Sequence, residues 1–206
     1  QPFARYAYDP TRALQELVEA GWRRAADGRI LNAAGAPAQF ELRGGVAYGN
    51  AIPVVAADWR RLGLDVSEFI TPAQLNSDPE RQAQFPSFEL RGRSSSEGIF
   101  PGFDSREAAT AQNRFQGANY SHYGNSALDR LIDKIYGTLD ARERATVLKD
   151  AGELMAADLP ALPFYYGVNF LHVRKTLRGS LEEDYPHTND ISGGAVARSA
   201  HLWERV

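Results

Sequence analysis

At 206 residues, 43% of them hydrophobic, the chain is long enough to bury a substantial core, and intrinsic disorder is not expected. A net charge of -3, with Lys and Arg spread along the chain, excludes the basic footprint of a nucleic-acid binder. The absence of cysteine excludes disulfides, cysteine-ligated zinc and thiol nucleophiles, and it suits an oxidising compartment such as a bacterial periplasm.

No run of the sequence approaches the ~18 apolar residues of a membrane-spanning helix. Residues 1–8 lack the charged start and apolar run of a signal peptide, so the chain reads either as cytoplasmic or as an internal piece of a longer protein. The first helix is marked at both ends: Asp9 can cap it, Pro10 suits its first position, and Gly21 suits a left-handed stop. Ala13, Leu14, Leu17 and Val18 form one apolar face between them. Asp27-Gly28 and Ala34-Gly35 predict turns, and a strand is expected at residues 39–43. A second helix follows at residues 50–62, with Ile52, Val55, Ala56, Trp59 and Leu62 inward; Gly63 ends it, and residues 64–70 read as the next strand. This alternation of helix, glycine and strand is the rhythm of an α/β layer.

A short strand is expected at residues 87–91, and then periodicity disappears over residues 92–104, a long loop. Three capping boxes follow, at Asp104/Glu107, Ser126/Asp129 and Asp140/Glu143, each predicting a helix. The second of these helices presents Leu128, Leu131, Ile132 and Ile135 and ends at Gly137. The third presents Leu148, Ala151, Met155 and Leu159 and stops at Pro160. Residues 162–174, rich in aromatic and β-branched side chains, read as a buried strand, and residues 201–206 as a short edge strand.

Catalytic motifs are missing: there is no phosphate-cradling glycine loop, no nucleophile elbow and no paired-histidine zinc helix. His122, His172, His187 and His201 lack ligand-like spacing, so no metal or other cofactor is expected. Asp27-Gly28 lacks the alternating acids of a calcium loop and reads as a hairpin turn. Asp158 reads as the end of a helix that Pro160 stops. Asn119-Tyr120-Ser121, a formal glycosylation acceptor, reads as loop chemistry. The expectation is a binding protein and not an enzyme.

The loop carrying Arg91, Arg93, Ser94, Ser95, Ser96 and Glu97 stands apart, because it follows a strand immediately, where open α/β sheets place their ligands. It offers hydrogen bonds and charge of both signs without a nucleophile–base pair. It is either a ligand loop or a solvated connector, and loops of this length inside a compact domain are usually functional or disordered.

Three segments in order resemble the bacterial extracellular solute-binding proteins of family 5, the oligopeptide, dipeptide and nickel type that feed ABC importers. Tyr8-Asp9-Pro10 through Ala13, Leu17 and Glu19-Ala20-Gly21 resembles the helix that opens that family's C-terminal lobe. Asn119-Tyr120-Ser121, Tyr123, Asn125 and Leu128-Asp129 resemble its "N-Y-S-x-Y-x-N-x-x-x-D" segment. Asp158-Leu159-Pro160-Ala161-Leu162-Pro163-Phe164-Tyr165-Tyr166 resembles its proline-flanked entry into a central strand. The resemblance spans nearly the whole chain. Peptide-binding members carry a tryptophan and an acid in the loop after the third strand; aligned on Arg91, Ser94 stands at the tryptophan and Glu97 near the acid, a departure that bears on whether the ligand is a peptide.

The resemblance implies an α/β, periplasmic-binding-protein-like lobe: a central mixed sheet flanked by helices, without its partner lobe. Residues 1–178 would form this C-terminal ligand-binding lobe and residues 179–206 a tail crossing back to the N-terminal lobe of the same chain. It implies a periplasmic or other extracytoplasmic location, with lipid anchoring through the N-terminal part, a small-molecule or peptide ligand, and a membrane permease of an ABC importer as partner. The alternatives are the ligand-sensing domain of a transcription regulator that shares this fold and a hydrolase using carboxylates and histidines, which the missing motifs disfavour. Ligand contacts are expected at Arg91, Arg93, Ser94, Ser95, Ser96 and Glu97, with Asn119 and Tyr120 as neighbours from a second loop.

Overall fold

A computed structural model describes residues 4–93, 97–165, 177–178 and 204–205. The first helix, α1 (Pro10–Glu19), starts where its local signals put it. The Asp9 carboxylate accepts from the backbone N–H of Arg12 at 3.0 Å, and Pro10 gives up no needed donor. It ends in paired backbone bonds, Trp22 N–H to Leu17 C=O and Gly21 N–H to Val18 C=O, with Gly21 at φ 91°. That ending requires a left-handed residue, which glycine adopts without strain. None of the residues of α1 is buried, and Val18 on its expected apolar face is 57% exposed.

A two-residue antiparallel pair, β1 (Arg23–Arg24) and β2 (Ile30–Leu31), closes around the Asp27-Gly28 turn. The three-stranded sheet comes next. β3 (Gln39–Gly45) is central, β4 (Asp65–Thr71) lies on one side and β5 (Phe88–Leu90) on the other, and both pair with it in parallel. α2 (Ala51–Arg61) forms the crossover from β3 to β4. Side chains alternate across β3. Phe40, Leu42 and Gly44 form one row, and Leu42 packs with Ile52, Ala56 and Val66 in a core that buries each of them. Trp59 on α2 meets Phe40 and Phe88 edge-on, with ring centroids 6.5 and 4.9 Å away. Arg43, in the opposite row, is covered by Phe85 and by α3 (Pro79–Ala83).

Residues 97–158 build a second core. Short 3-10 turns at Glu97–Gly102, Ser105–Glu107 and Ala111–Asn113 lead into α4 (Ser126–Gly137) and α5 (Ala141–Asp158). These two helices bury Leu128, Ile132, Ile135, Val147 and Ala151 against Phe100 and Phe103. Three sequence expectations are corrected in this region. Asp104 caps only a 3-10 turn, Ser105–Glu107, and not a longer helix. Asn125, not Ser126, caps α4, its Oδ1 accepting from Ala127 and Leu128 N–H at 2.9 and 3.4 Å. Leu159 does not pack inward: it is the left-handed cap of α5, at φ 50°, and 37% exposed.

The chain divides into two compact units, Gln1–Ala161 and Leu162–Val206. Within the second, β6 (Leu177–Arg178) pairs antiparallel with β7 (Glu204–Arg205). The strand expected at residues 162–174 lies mostly outside the described residues. Its first four residues form no strand, and Phe164 and Tyr165 are exposed, so the buried-strand expectation fails for that stretch. The expected boundary between residues 178 and 179 also lies at the edge of the described residues. None of the helices among the described residues is long and apolar enough to cross a membrane.

Candidate functional site

Because β3, β4 and β5 run parallel, their carboxyl ends, Gly45, Thr71 and Leu90, share one edge of the sheet. A cavity of about 350 Å³ opens there. Thr71, Arg81, Gln82, Glu89 and Arg91 line it, with Tyr48 and Asn76 at its sides. Two glycines let these groups come close. A Cβ on Gly45 would stand 3.1 Å from the Asn76 amide, and one on Gly92 would stand 2.9 Å from the Tyr48 hydroxyl. The cavity therefore sits at the edge where open α/β sheets receive ligands.

Its electrostatics are dominated by arginine. Arg43 is 4% exposed; it donates from Nη2 to the Arg81 carbonyl, and its guanidinium lies 5.6 Å from the Phe85 ring centroid. Its Nε is 3.7 Å from Glu89, beyond hydrogen-bond reach, and has no other partner. Burial, and then the nearby charges of Arg81 and Arg91, pull the Arg43 pKa down against the pull of Glu89. Arg91 donates to the other Glu89 oxygen, Oε2, from Nη2 at 2.7 Å and from Nε at 3.1 Å, and to Gln82 from Nη1 at 3.4 Å. Arg81 makes no ion pair and donates no side-chain hydrogen bond among the described residues; its guanidinium lies 5.0 Å from the Phe69 ring centroid. Thr71 is buried, and its hydroxyl has no partner among the described residues.

The structure separates the residues that the sequence singled out. Arg91 lies at the cavity and stacks 4.2 Å from the Tyr120 ring centroid, with Arg93 at 5.8 Å from the same ring. Arg91, Arg93 and Tyr120 are thus brought together. Ser94, Ser95 and Ser96 lie outside the described residues. Glu97 turns away to pair with Arg144 on α5, so its charge is already matched within the fold. Asn119 is corrected outright: it is fully buried and its amide is saturated by the chain. Nδ2 donates to the carbonyls of Asp104 and Tyr123 at 3.0 and 2.8 Å, while Oδ1 accepts from Ser121 Oγ and Tyr123 N–H, both at 3.2 Å. Such an amide holds a loop and has nothing left for a ligand.

The remainder of the Asn119–Asp129 motif is structural in the same way. Tyr123 Oη and Asn125 Nδ2 both donate to Asp158 Oδ2, at 2.6 and 2.7 Å, and these two bonds hold the Asp158 carboxyl below the usual carboxylate range. Burial, and then the Asp158 bond, raise the Tyr123 phenol in turn. Asp129 accepts from the backbone N–H and the hydroxyl of Ser105 at 3.0 and 2.6 Å. No group of three metal-ligating side chains occurs among the described residues. Sequence reasoning missed Thr71, Arg81 and Gln82. The available signal was the end of the strand before residue 71: once β4 is parallel to β3, its last residue must share an edge with Arg91.

No family model matches the chain, and none of the curated proteins matches it. Solved structures do. NikZ from Campylobacter jejuni in complex with Ni(L-His) superposes with a TM-score of 0.66 at 22% identity, over 77% of this chain and 32% of its own. The oligopeptide-binding protein AppA from Bacillus subtilis in complex with a nonapeptide gives 0.60 at 22%, over 77% and 32%. A mannohexaose-bound periplasmic oligopeptide-binding protein of an ABC transporter from Thermotoga maritima gives 0.66 at 22%, over 79% and 31%. The fold is that of a periplasmic-binding-protein lobe. The chain spans about a third of the length of these structures.

Proposed function

We propose that this chain is a ligand-binding lobe of the solute-binding component of an ABC importer, of the family 5 type, capturing a small polar solute outside the cytoplasm and delivering it to a membrane permease. The observation that carries this reading is the crevice at the carboxyl edge of the parallel sheet, which combines an unpaired arginine, a partnerless threonine hydroxyl and a stacked Arg91. The lining supports binding in preference to catalysis. Among the described residues it contains no histidine or cysteine, and its carboxylate, Glu89, is shared by two arginines. The ligand contacts proposed for this lobe are Arg91, Arg93 and Tyr120, with Thr71, Arg81 and Gln82 added; Ser94, Ser95 and Ser96 follow Arg93 directly in the chain and belong to the same proposal. The fold does not name the solute, since the three structures above hold a nickel–histidine complex, a nonapeptide and a mannohexaose. Two-lobed receptors bury ligand by hinge closure, so one lobe supplies part of the contacts.

The test is to purify the full-length protein from its own host, identify the solute it carries by native mass spectrometry, and measure rebinding by calorimetry. Arg91→Ala should weaken rebinding at least tenfold, about 1.4 kcal/mol, with the melting temperature kept. Rebinding within threefold of wild type, or steady turnover of the carried compound, rules this reading out.

A further inference from the structure

We infer that the crevice receives an oxyanion of the ligand, a carboxylate or a phosphate, and that Arg81 is the group that takes it. This inference rests on the reading of the crevice as a solute site. It begins with a charge count over named residues. Arg43, Arg81 and Arg91 converge on the carboxyl edge of the sheet, and Glu89 is the one carboxylate among the crevice residues. Glu89 is spent on Arg91 at 2.7 Å and faces Arg43 at 3.7 Å, which leaves Arg81 without a counter-ion among the described residues.

An unpaired cation on a partly closed wall is costly, because burial removes water and nothing among the described residues replaces it. Proteins retain such a group where a ligand supplies the missing charge. Lysine would serve as a point charge, whereas arginine presents a planar fork matched to two oxygens of one anion.

The second argument is rigidity. The Arg81 backbone N–H donates to the Asp78 carboxylate at 3.3 Å, and its carbonyl is held by Arg43. Its guanidinium rests 5.0 Å from the centroid of Phe69. Phe69 stands in β4, two residues before Thr71, so the same strand end supplies both the stacking surface and the partnerless hydroxyl. A guanidinium held in this way has little conformational freedom to lose when it binds. A volume of about 350 Å³ exceeds what a lone carboxylate or phosphate needs, so the oxyanion would be one end of a larger solute whose remainder extends toward Arg91 and Tyr120.

The test titrates the full-length protein, stripped of carried solute, with inorganic phosphate and separately with glutarate. Calorimetry at low ionic strength is the readout, since salt screens such contacts. At least one of the two anions should bind. Arg81→Gln should weaken that anion tenfold or more, and Arg81→Lys, which keeps the charge and loses the fork, by a smaller factor. Phosphate binding alone identifies a phosphoryl-bearing ligand, and glutarate binding alone a carboxylate. If both anions bind wild type no more tightly than they bind Arg81→Gln, at matched melting temperatures, the assignment is overturned. Should Arg81→Gln fail to fold, Arg81→Lys is read in its place, and unchanged affinity in that variant overturns the assignment equally. The receptor reading is scored apart from this: a neutral carried solute lost on Arg91→Ala keeps the receptor and discards the oxyanion, whereas a protein that carries and rebinds no solute discards the receptor.

Discussion

The sheet layer and the helical layer of the first unit treat their polar groups in opposite ways. Around α4 and α5 almost every polar side chain named above is matched by the chain itself. Asn119 uses its whole amide, Asp129 holds Ser105, Asp158 holds Tyr123 and Asn125, Glu97 holds Arg144, and Arg106 bridges Asp104 and Asp133. At the carboxyl edge of the sheet, Arg43 Nε, Thr71 Oγ1 and Arg81 Nε are buried without a hydrogen-bond partner among the described residues. Native proteins leave few such groups, and each one calls for a reason. Three gathered at one edge of one sheet mark the place where the fold stops satisfying itself. The helical layer satisfies its own polar groups, and the sheet edge is the surface we propose for the ligand.

Substitutions at three positions sharpen or break this contrast, from the largest expected effect to the smallest. Asn119→Ala should destabilise by about 3 kcal/mol, because it strands buried carbonyls and an N–H that no water replaces easily. Asn119→Asp should be nearly as harmful, since it faces two carbonyls with no donor. Urea unfolding monitored by circular dichroism measures both, and a loss below about 1 kcal/mol would mean that the helical layer does not depend on its saturation.

The second concerns pH. Asp158 is held below its ordinary range by Tyr123 and then Asn125, and Asp104 by Arg106. A carboxyl with a depressed folded pKa contributes stability above its unfolded value of about 4, and that stability is lost as the pH falls through the folded value. The melting temperature should therefore drop as the pH falls below about 4, and Asp158→Asn should lower the melting temperature at pH 7 and flatten part of that drop. An identical acid profile in the variant would show that the Tyr123–Asp158–Asn125 node does not persist in solution.

The smallest effect has the opposite sign. Thr71→Val removes a hydroxyl that nothing satisfies and keeps the side-chain shape. Stability should hold or rise by up to about 1 kcal/mol. A clear destabilisation would mean that the hydroxyl is already partnered, and the sheet edge would lose its distinction from the helical layer.

Much of the fold was legible in the sequence because its signals are local. Asp9 and Asp140 cap helices through N–H groups two or three residues away, and Gly21 and Gly63 sit at φ 91° and 96° where the sequence places helix ends. Local signals failed where two adjacent residues could serve. Both Asn125 and Ser126 can cap a helix, and Asn125 caps because Asp158, 33 residues away, fixes its amide. The site was half legible. Arg91 follows a strand, so position alone pointed to it; Thr71 and Arg81 gained meaning only once β3 and β4 paired in parallel. The Asn119-Tyr120-Ser121 run reads as loop chemistry in sequence, and folding buries its asparagine while leaving its tyrosine beneath two arginines.

The sequence by itself determined the helices α1, α2, α4 and α5, the strands β3, β4 and β5 and the α/β layering, because caps, left-handed glycines and apolar periodicity act over a few residues. The tertiary structure alone decided which polar groups are spent and which remain free. That is a sum over partners from distant segments: Glu89 on Arg91 and Arg43, Asp158 on Tyr123 and Asn125, and none among the described residues for Arg81.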